Sequence, residues 1–329
     1  MGTRDSIRVT LLLLFIIAFS QSLNPPMISA LEYDEFHAEE GVLIAEELDW
    51  NLVDSTTKDS LSFTQGLEIH NGHLYESGGL YGHSSVRVFA LGSGNPIETL
   101  NLSPDLFGEG LTIFDDEIIV LTWKSGRVLR YSLNFEQLNE SIIPGEGWGI
   151  CSMNDQFAIS DGTSRITFRN PNDLTQVSSI EVTLNGEPLE QINELECVGD
   201  KIFANRWYDN RIFEIDIQTG AVVSVVDFSS LVEEYGSNGN GEVLNGIAYD
   251  SNTGDFWITG KNWTSFHQIS IIVESPEQTS VFEGRILIVL LTIASLLFPF
   301  IGSLFYPVRE PKGIQASPHV GEHGGGPNG

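Results

Sequence analysis

Nine side chains in this sequence form a set from which a proton-transfer site can be built. They are one carboxylate, Glu109; one cation, Lys261; two amides, Gln65 and Asn193; and five aromatics, Phe63, Phe107, Trp123, Trp148 and Trp207. Glu109 sits between two glycines in Phe107-Gly108-Glu109-Gly110, with apolar flanks. A carboxylate so placed loses part of its hydration, which lifts its pKa toward neutrality. That is the state of a group that both takes and returns a proton. Lys261, between Gly260 and Asn262-Trp263, can orient a substrate or stabilise a developing oxyanion. Aromatic walls with few convergent polar groups describe a small-ligand pocket. Glu194 and Glu196 are rival carboxylates one repeat further on; strand alternation predicts Glu194 toward the neighbouring sheet and Glu196 inward. No Gly-rich phosphate loop, nucleophile elbow or zinc-protease helix motif occurs, and Ser and His stand in no triad order.

Residues this far apart need a repeat to bring them together. Five signatures supply it: Phe63-Thr64-Gln65-Gly66-Leu67, Phe107-Gly108-Glu109-Gly110-Leu111, Gly147-Trp148-Gly149-Ile150, Asn193-Glu194-Leu195-Glu196 and Leu244-Asn245-Gly246-Ile247. Their anchors Gly66, Gly110, Gly149, Glu194 and Gly246 recur at roughly 40–50 residues, the period of propeller blades. Each opening leads through a turn of Asn, Asp or Gly into a second apolar strand, and helical periodicity is scarce. The prediction is an all-β, five-bladed β-propeller with blades over Phe63–Asn101, Phe107–Leu138, Trp148–Leu184, Asn193–Phe228 and Leu244–Ile272. Leu48–Ser55 is expected to supply the outer strand that closes the ring onto blade five, and Leu231–Tyr235 a short helical turn. Six site residues then come from blade openings; Trp123, Trp207 and Lys261 come from second-strand ends.

The chain ends carry targeting signals. Residues 1–30 read as a signal peptide: Arg4 and Arg8 precede the apolar stretch Val9–Phe19, with cleavage near Ser20 or Ala30. Residues 31–275 hold the propeller. Ile286–Phe305 has no charge over about 20 residues, enough for a transmembrane helix. Arg309 and Lys312 beyond it favour a cytoplasmic tail, so 306–329 is expected to be a short disordered tail inside the cell. This is a type I layout at the cell surface, anchored to the membrane through the C-terminal helix with the propeller outside. The formal charge of −29, with 45 acidic against 16 basic residues and no basic patch, excludes nucleic acid as a partner. Cys151 and Cys197 follow successive blade signatures and are either bridged or two free buried thiols. Two cysteines alone cannot build a structural zinc site, and no metal site is expected.

The segments Ser62–Leu67, Tyr75–Arg87, Gly108–Leu111 with Leu121–Lys124, Gly147–Gly149, Asn193–Glu196, Ala204–Trp207, Leu244–Ala248 and Thr259–Trp263 resemble, in order and through all five blades, the plant-type glutaminyl-peptide cyclotransferases. The resemblance implies a five-bladed propeller that works without catalytic zinc or any cofactor. Its substrates would be peptides or proteins with an N-terminal glutamine, cyclised to pyroglutamate with release of ammonia. It also implies that Glu109 is the essential acid, that the five aromatics line the pocket, and that Gln65, Asn193 and Lys261 are its polar contacts. The chain departs from the family pattern at Gly78, Arg206 and Thr264, which bear on the pocket rim, and at Cys151 and Cys197, a paired change that favours a bridge. The alternative class is a non-catalytic, membrane-tethered propeller that binds peptides or proteins; a desolvated Glu109 within an aromatic ring is a feature binding alone would not demand. A metal-dependent lactonase-type propeller needs inward Asp, Asn and Glu around a cation, which the Trp-rich set does not offer.

Overall fold

Two-residue turns set the strand rhythm. Asn71-Gly72, Asp115-Asp116 and Asn154-Asp155 take positive φ at both positions, 49 and 74°, 51 and 57°, 46 and 57°. That conformation suits Asn, Asp and Gly and matches the twist of the strands it joins. The computed structural model describes residues 42–236 and 243–273. The expected leader over 1–30, the 286–305 span and the tail lie outside the described residues. Among the described residues no helix is long and apolar enough to cross a membrane.

Among the described residues the fold is all-β, with 22 strands and one short helix. Strand β1 (Glu46–Thr57) is followed by five antiparallel units: the first three are four-stranded sheets, and the fourth and fifth are joined through β1 into one eight-stranded sheet. The first holds β2 (Thr64–His70), β3 (His73–Gly78), β4 (Ser85–Ala90) and β5 (Pro96–Asn101). The second holds β6 (Gly108–Phe114), β7 (Glu117–Thr122), β8 (Arg127–Ser132) and β9 (Gln137–Ile142). The third holds β10 (Ile150–Met153), β11 (Gln156–Ser160), β12 (Arg165–Arg169) and β13 (Gln176–Glu181). A small hairpin, β14 (Thr183–Leu184) and β15 (Glu187–Pro188), follows; it turns on Asn185-Gly186, a signal that sequence reasoning did not single out. The fourth unit holds β16 (Ile192–Val198), β17 (Lys201–Arg206), β18 (Arg211–Asp216) and β19 (Val222–Asp227). Helix α1 (Ser229–Tyr235) leads to the fifth, β20 (Leu244–Asp250), β21 (Asp255–Gly260) and β22 (Ser265–Ile272), whose fourth strand is β1.

The first strands of the units touch in the order β2, β6, β10, β16, β20 and back to β2, a closed ring. Apolar residues gather in five cores, each between two successive units. Leu111 and Ile118 pack against Val86 between the first two; Leu67 and Phe89 pack against Trp257 and Phe266 between the first and last. The inner three strands of each unit are therefore buried on both faces and largely apolar, while the outer strands β5, β9 and β13 are mostly exposed. Around the axis the ring is tight. A Cβ on Gly110 would stand 2.8 Å from Gly149 Cα and from Ile150 N, so only glycine fits.

The seam is where the chain's start meets its end. Residues 49–57 of β1 pair antiparallel with β22, while Glu46–Leu48 run parallel to β19. The expected closing strand is thus present and reaches a second unit as well. Just beyond it, buried Lys58 bonds Glu76 Oε1 at 3.2 Å and Thr259 Oγ1 at 3.1 Å, and Thr64 Oγ1 donates to the same Glu76 oxygen at 2.6 Å. One ion pair with its hydroxyls ties β1's end to the first and fifth units. Burial lowers the Lys58 pKa against the pull of Glu76.

Cys151 on β10 and Cys197 on β16 form a disulfide, with Cα atoms 5.5 Å apart across the third and fourth units. It closes a loop of sequence separation 46. Replacing both cysteines by serine should cost about 2–4 kcal/mol and lower Tm by roughly 5–15 °C, read by thermal unfolding. Non-reducing peptide mapping should find the two cysteine peptides linked; alkylation of both thiols in the native protein would refute the bridge.

Candidate active site

The ring directs one set of side chains into a cavity of about 220 Å³ at one end of the inner strands. Ligand pockets for drug-sized molecules run to about 300–1,000 Å³, so this one suits the end of a peptide rather than a length of it. All nine residues expected from the sequence line it: Phe63, Gln65, Phe107, Glu109 and Trp123, then Trp148, Asn193, Trp207 and Lys261. Trp123, Trp207 and Lys261 each follow the last residue of a second strand, β7, β17 and β21. The tenth lining residue, Leu80, was missed. It lies two residues beyond β3 with φ at 88°, one place past Gly79, the first unit's counterpart of Trp123, so equal offset did not point to it.

The aromatics form two walls. Phe107 meets Phe63 edge-on at 6.2 Å and Trp123 at 5.3 Å; Trp148 meets Trp207 edge-on at 5.7 Å. Edge-to-face pairs of this kind fix ring orientation beyond simple burial. Trp148 seats against Gly162, where a Cβ would stand 2.6 Å from the indole. The polar groups are held by latches between units. Ser77 Oγ donates to the carbonyl of Glu109 at 2.5 Å, and Ser160 Oγ to the carbonyl of Asn193 at 2.6 Å. Asn245 Nδ2 donates to Thr64 O at 3.0 Å and, at a long 3.5 Å, to Gln65 Oε1. That leaves the Gln65 amide hydrogens for a ligand. Sequence reasoning placed Asn245 in a signature but gave it no role.

Glu109 is 5 % exposed and Lys261 4 %. Burial pushes the Glu109 carboxyl well above the ordinary carboxylate range; Lys261 opposes that shift and Glu146 adds to it. Burial lowers Lys261 to about 8, with Glu109 pulling the other way. Its ammonium stands 5.0 Å over the Phe63 ring. Asn193 Oδ1 is buried without a hydrogen-bond partner among the described residues. The cavity thus offers a carboxyl whose burial favours its protonated form, a cation, an amide donor and an unpartnered acceptor between apolar walls.

Glu194 and Glu196 lie elsewhere. The expectation that alternation would part them is corrected: two residues apart on β16, they share one face. Glu194 accepts from Leu67 N at 3.1 Å and Ile247 N at 2.9 Å, and Glu196 from Tyr249 N at 3.0 Å. They tie inner strands together and do not line the cavity. Among the described residues no group of three or more His, Cys, Asp or Glu is placed to hold a metal ion.

Comparison with known proteins places these features in context. A family model described as glutamine cyclotransferase matches residues 27–271. A glutaminyl-peptide cyclotransferase of Arabidopsis thaliana is 31% identical over 235 residues, covering 70% of this chain and 73% of that protein. The crystal structure of Myxococcus xanthus glutaminyl cyclase superposes with a TM-score of 0.66 at 33% identity, covering 70% of this chain and 100% of that one.

The inner-strand carboxyls generate a stability prediction. Desolvation raises Glu68 from 4.5 to about 7 against a hydrogen bond from Thr112, and raises Glu194 and Glu196 well above 4.5. A carboxyl whose folded pKa exceeds its unfolded one stabilises fully below about 4.5 and loses that contribution as pH rises through the folded value. The domain should therefore melt at a higher temperature at pH 5 than at pH 8. Glu68→Gln should flatten the Tm-against-pH slope between 4.5 and 7; an unchanged slope would show that Glu68 is not part of it.

Proposed function

The chain belongs to the glutamine cyclotransferase family, and on that premise we propose how its cavity turns an N-terminal glutamine into pyroglutamate. The activity is that of a glutaminyl-peptide cyclotransferase acting on peptides or proteins that begin with glutamine. The observation that carries this reading is the single cavity that collects Glu109, Lys261, Gln65, Asn193 and two aromatic walls. Its small volume and apolar lining fit one compact terminal residue.

The nucleophile belongs to the substrate. The neutral α-amine attacks its own side-chain amide carbon; a C–N bond forms and the carbonyl electron pair moves to oxygen. The tetrahedral intermediate collapses when a proton passes from the ring nitrogen to the departing amide nitrogen, which leaves as ammonia. The enzyme must hold the folded-back conformer and move that proton. The aromatic walls do the first and Glu109 the second. The Lys261 ammonium and the Gln65 amide stabilise the oxyanion. Asn193 Oδ1 receives an N–H of the substrate main chain. No step requires a metal or cofactor.

The five antiparallel units, their closed ring of first strands and the five cores between them support a five-bladed propeller spanning 31–275. The sequence supports a cleaved leader over 1–30, a 286–305 membrane span and a cytoplasmic tail, with the propeller outside. A chain ending near Ser275 should then be secreted and soluble; if it stays with membranes after a carbonate wash, this layout is wrong.

Glu109→Gln keeps the side-chain shape and removes the titrating proton. Ammonia release from a Gln-initiated peptide should lose kcat by about 100- to 10,000-fold, with little change in KM because the walls are intact. Trp148→Ala should raise KM as well. For the wild type, kcat/KM should climb as the substrate amine deprotonates near pH 8 and fall again as Lys261, at about 8, loses its charge. Near wild-type turnover in Glu109→Gln would remove Glu109 from the mechanism.

A further inference from the structure

Glu146 lies in the loop between β9 and β10, outside the cavity lining, and no motif pointed to it. One of its oxygens, Oε2, accepts the indole N–H of Trp123 at 2.8 Å and that of Trp148 at 3.0 Å. The two indoles come from different units: Trp123 follows β7 and Trp148 precedes β10. Trp123 packs on Phe107, and Trp148 on Trp207. A single carboxylate oxygen therefore joins the two aromatic walls into one continuous arc. Indoles at a half-open mouth have rotational freedom and a donor that water would otherwise take; two charge-assisted bonds to one acceptor remove that freedom. The Lys124 ammonium stands 4.0 Å over the Trp123 ring on the same wall.

We propose that Glu146 is a positioning residue for the cyclisation: it clamps the two indole walls at the spacing the substrate ring needs and sets a carboxylate beside the proton shuttle. The charged groups that bear on Glu109 are Lys261, from beyond β21, and Glu146 itself. A negative charge makes proton loss harder for every titrating group in the cavity, including the bound substrate amine. Removing it without disturbing geometry must ease proton loss from all of them. The proposal rests on the cyclotransferase reading of this cavity, so its test includes one readout that does not need turnover.

In ¹⁵N-labelled protein, Glu146→Ala should shift the indole N–H resonances of Trp123 and Trp148, assigned with the corresponding Trp→Phe variants, and leave the other four of the six tryptophans in place. Unmoved resonances overturn the clamp whatever the activity. In the ammonia-release assay, Glu146→Ala should raise KM about tenfold, the equivalent of one net hydrogen bond. Glu146→Gln, whose amide oxygen can still accept both indoles, should keep KM near wild type and move both limbs of the kcat–pH profile to lower pH. A Glu146→Gln profile that superimposes on the wild type overturns the electrostatic role. An inactive wild type with shifted indole signals would instead count against the cyclotransferase reading and leave the clamp standing.

Discussion

The crowding of five inner strands around one axis governs this protein. Neighbouring first strands approach until backbone meets backbone: Gly110 N donates to Trp148 O at 2.7 Å, and a side chain on Gly110 would have nowhere to go. Such an approach strands polar backbone groups away from water, and each must find a partner. The partners are side chains from the adjoining unit, such as Ser77 on the Glu109 carbonyl, Ser160 on that of Asn193, and Asn205 Oδ1 on Gly246 N at 2.8 Å. The same latches that satisfy the axis also fix the backbone of the residues that face the cavity. Fold stability and site precision rest on one set of contacts.

Burial of charge is the second consequence. The cavity buries Glu109 and Lys261 together between apolar walls, where desolvation raises the carboxyl and lowers the ammonium. In water the two would stay fixed as anion and cation across the neutral range; here burial disfavours the charged form of each. The enclosure is not uniform in its use of carboxylates. Glu76 pairs with Lys58 at the seam, Glu194 and Glu196 bond backbone amides, and Glu146 binds indoles. Only Glu109 lines the cavity with no hydroxyl or amide donor claiming its carboxylate oxygens among the described residues.

Much of this was legible before any coordinates. The Asn, Asp and Gly turns, the five signatures and their even spacing announce repeated antiparallel units, because each repeat must solve the same twist and closure problem. Residues at equal offsets within a repeat must occupy equal depth, so Phe63, Gln65, Phe107, Glu109, Trp148 and Asn193 could be assigned to one mouth together with Trp123, Trp207 and Lys261. The repeat also carried the positions of Cys151 and Cys197, which lie across one interface.

What the sequence could not decide is which of several chemically equal groups meets which neighbour. Glu109, Glu146, Glu194 and Glu196 are the same side chain, and offset along a strand does not say whether a carboxylate faces a cavity, an indole or a backbone amide. Leu80 takes its place by a positive φ in an irregular link, and Glu146 by a loop whose path no periodicity describes. The sequence by itself determined the repeat, the turns and the depth of each position, since these follow from local conformation and spacing. The tertiary structure alone decided the partners, because hydrogen bonds and desolvation depend on what the neighbouring unit brings within about 3 Å.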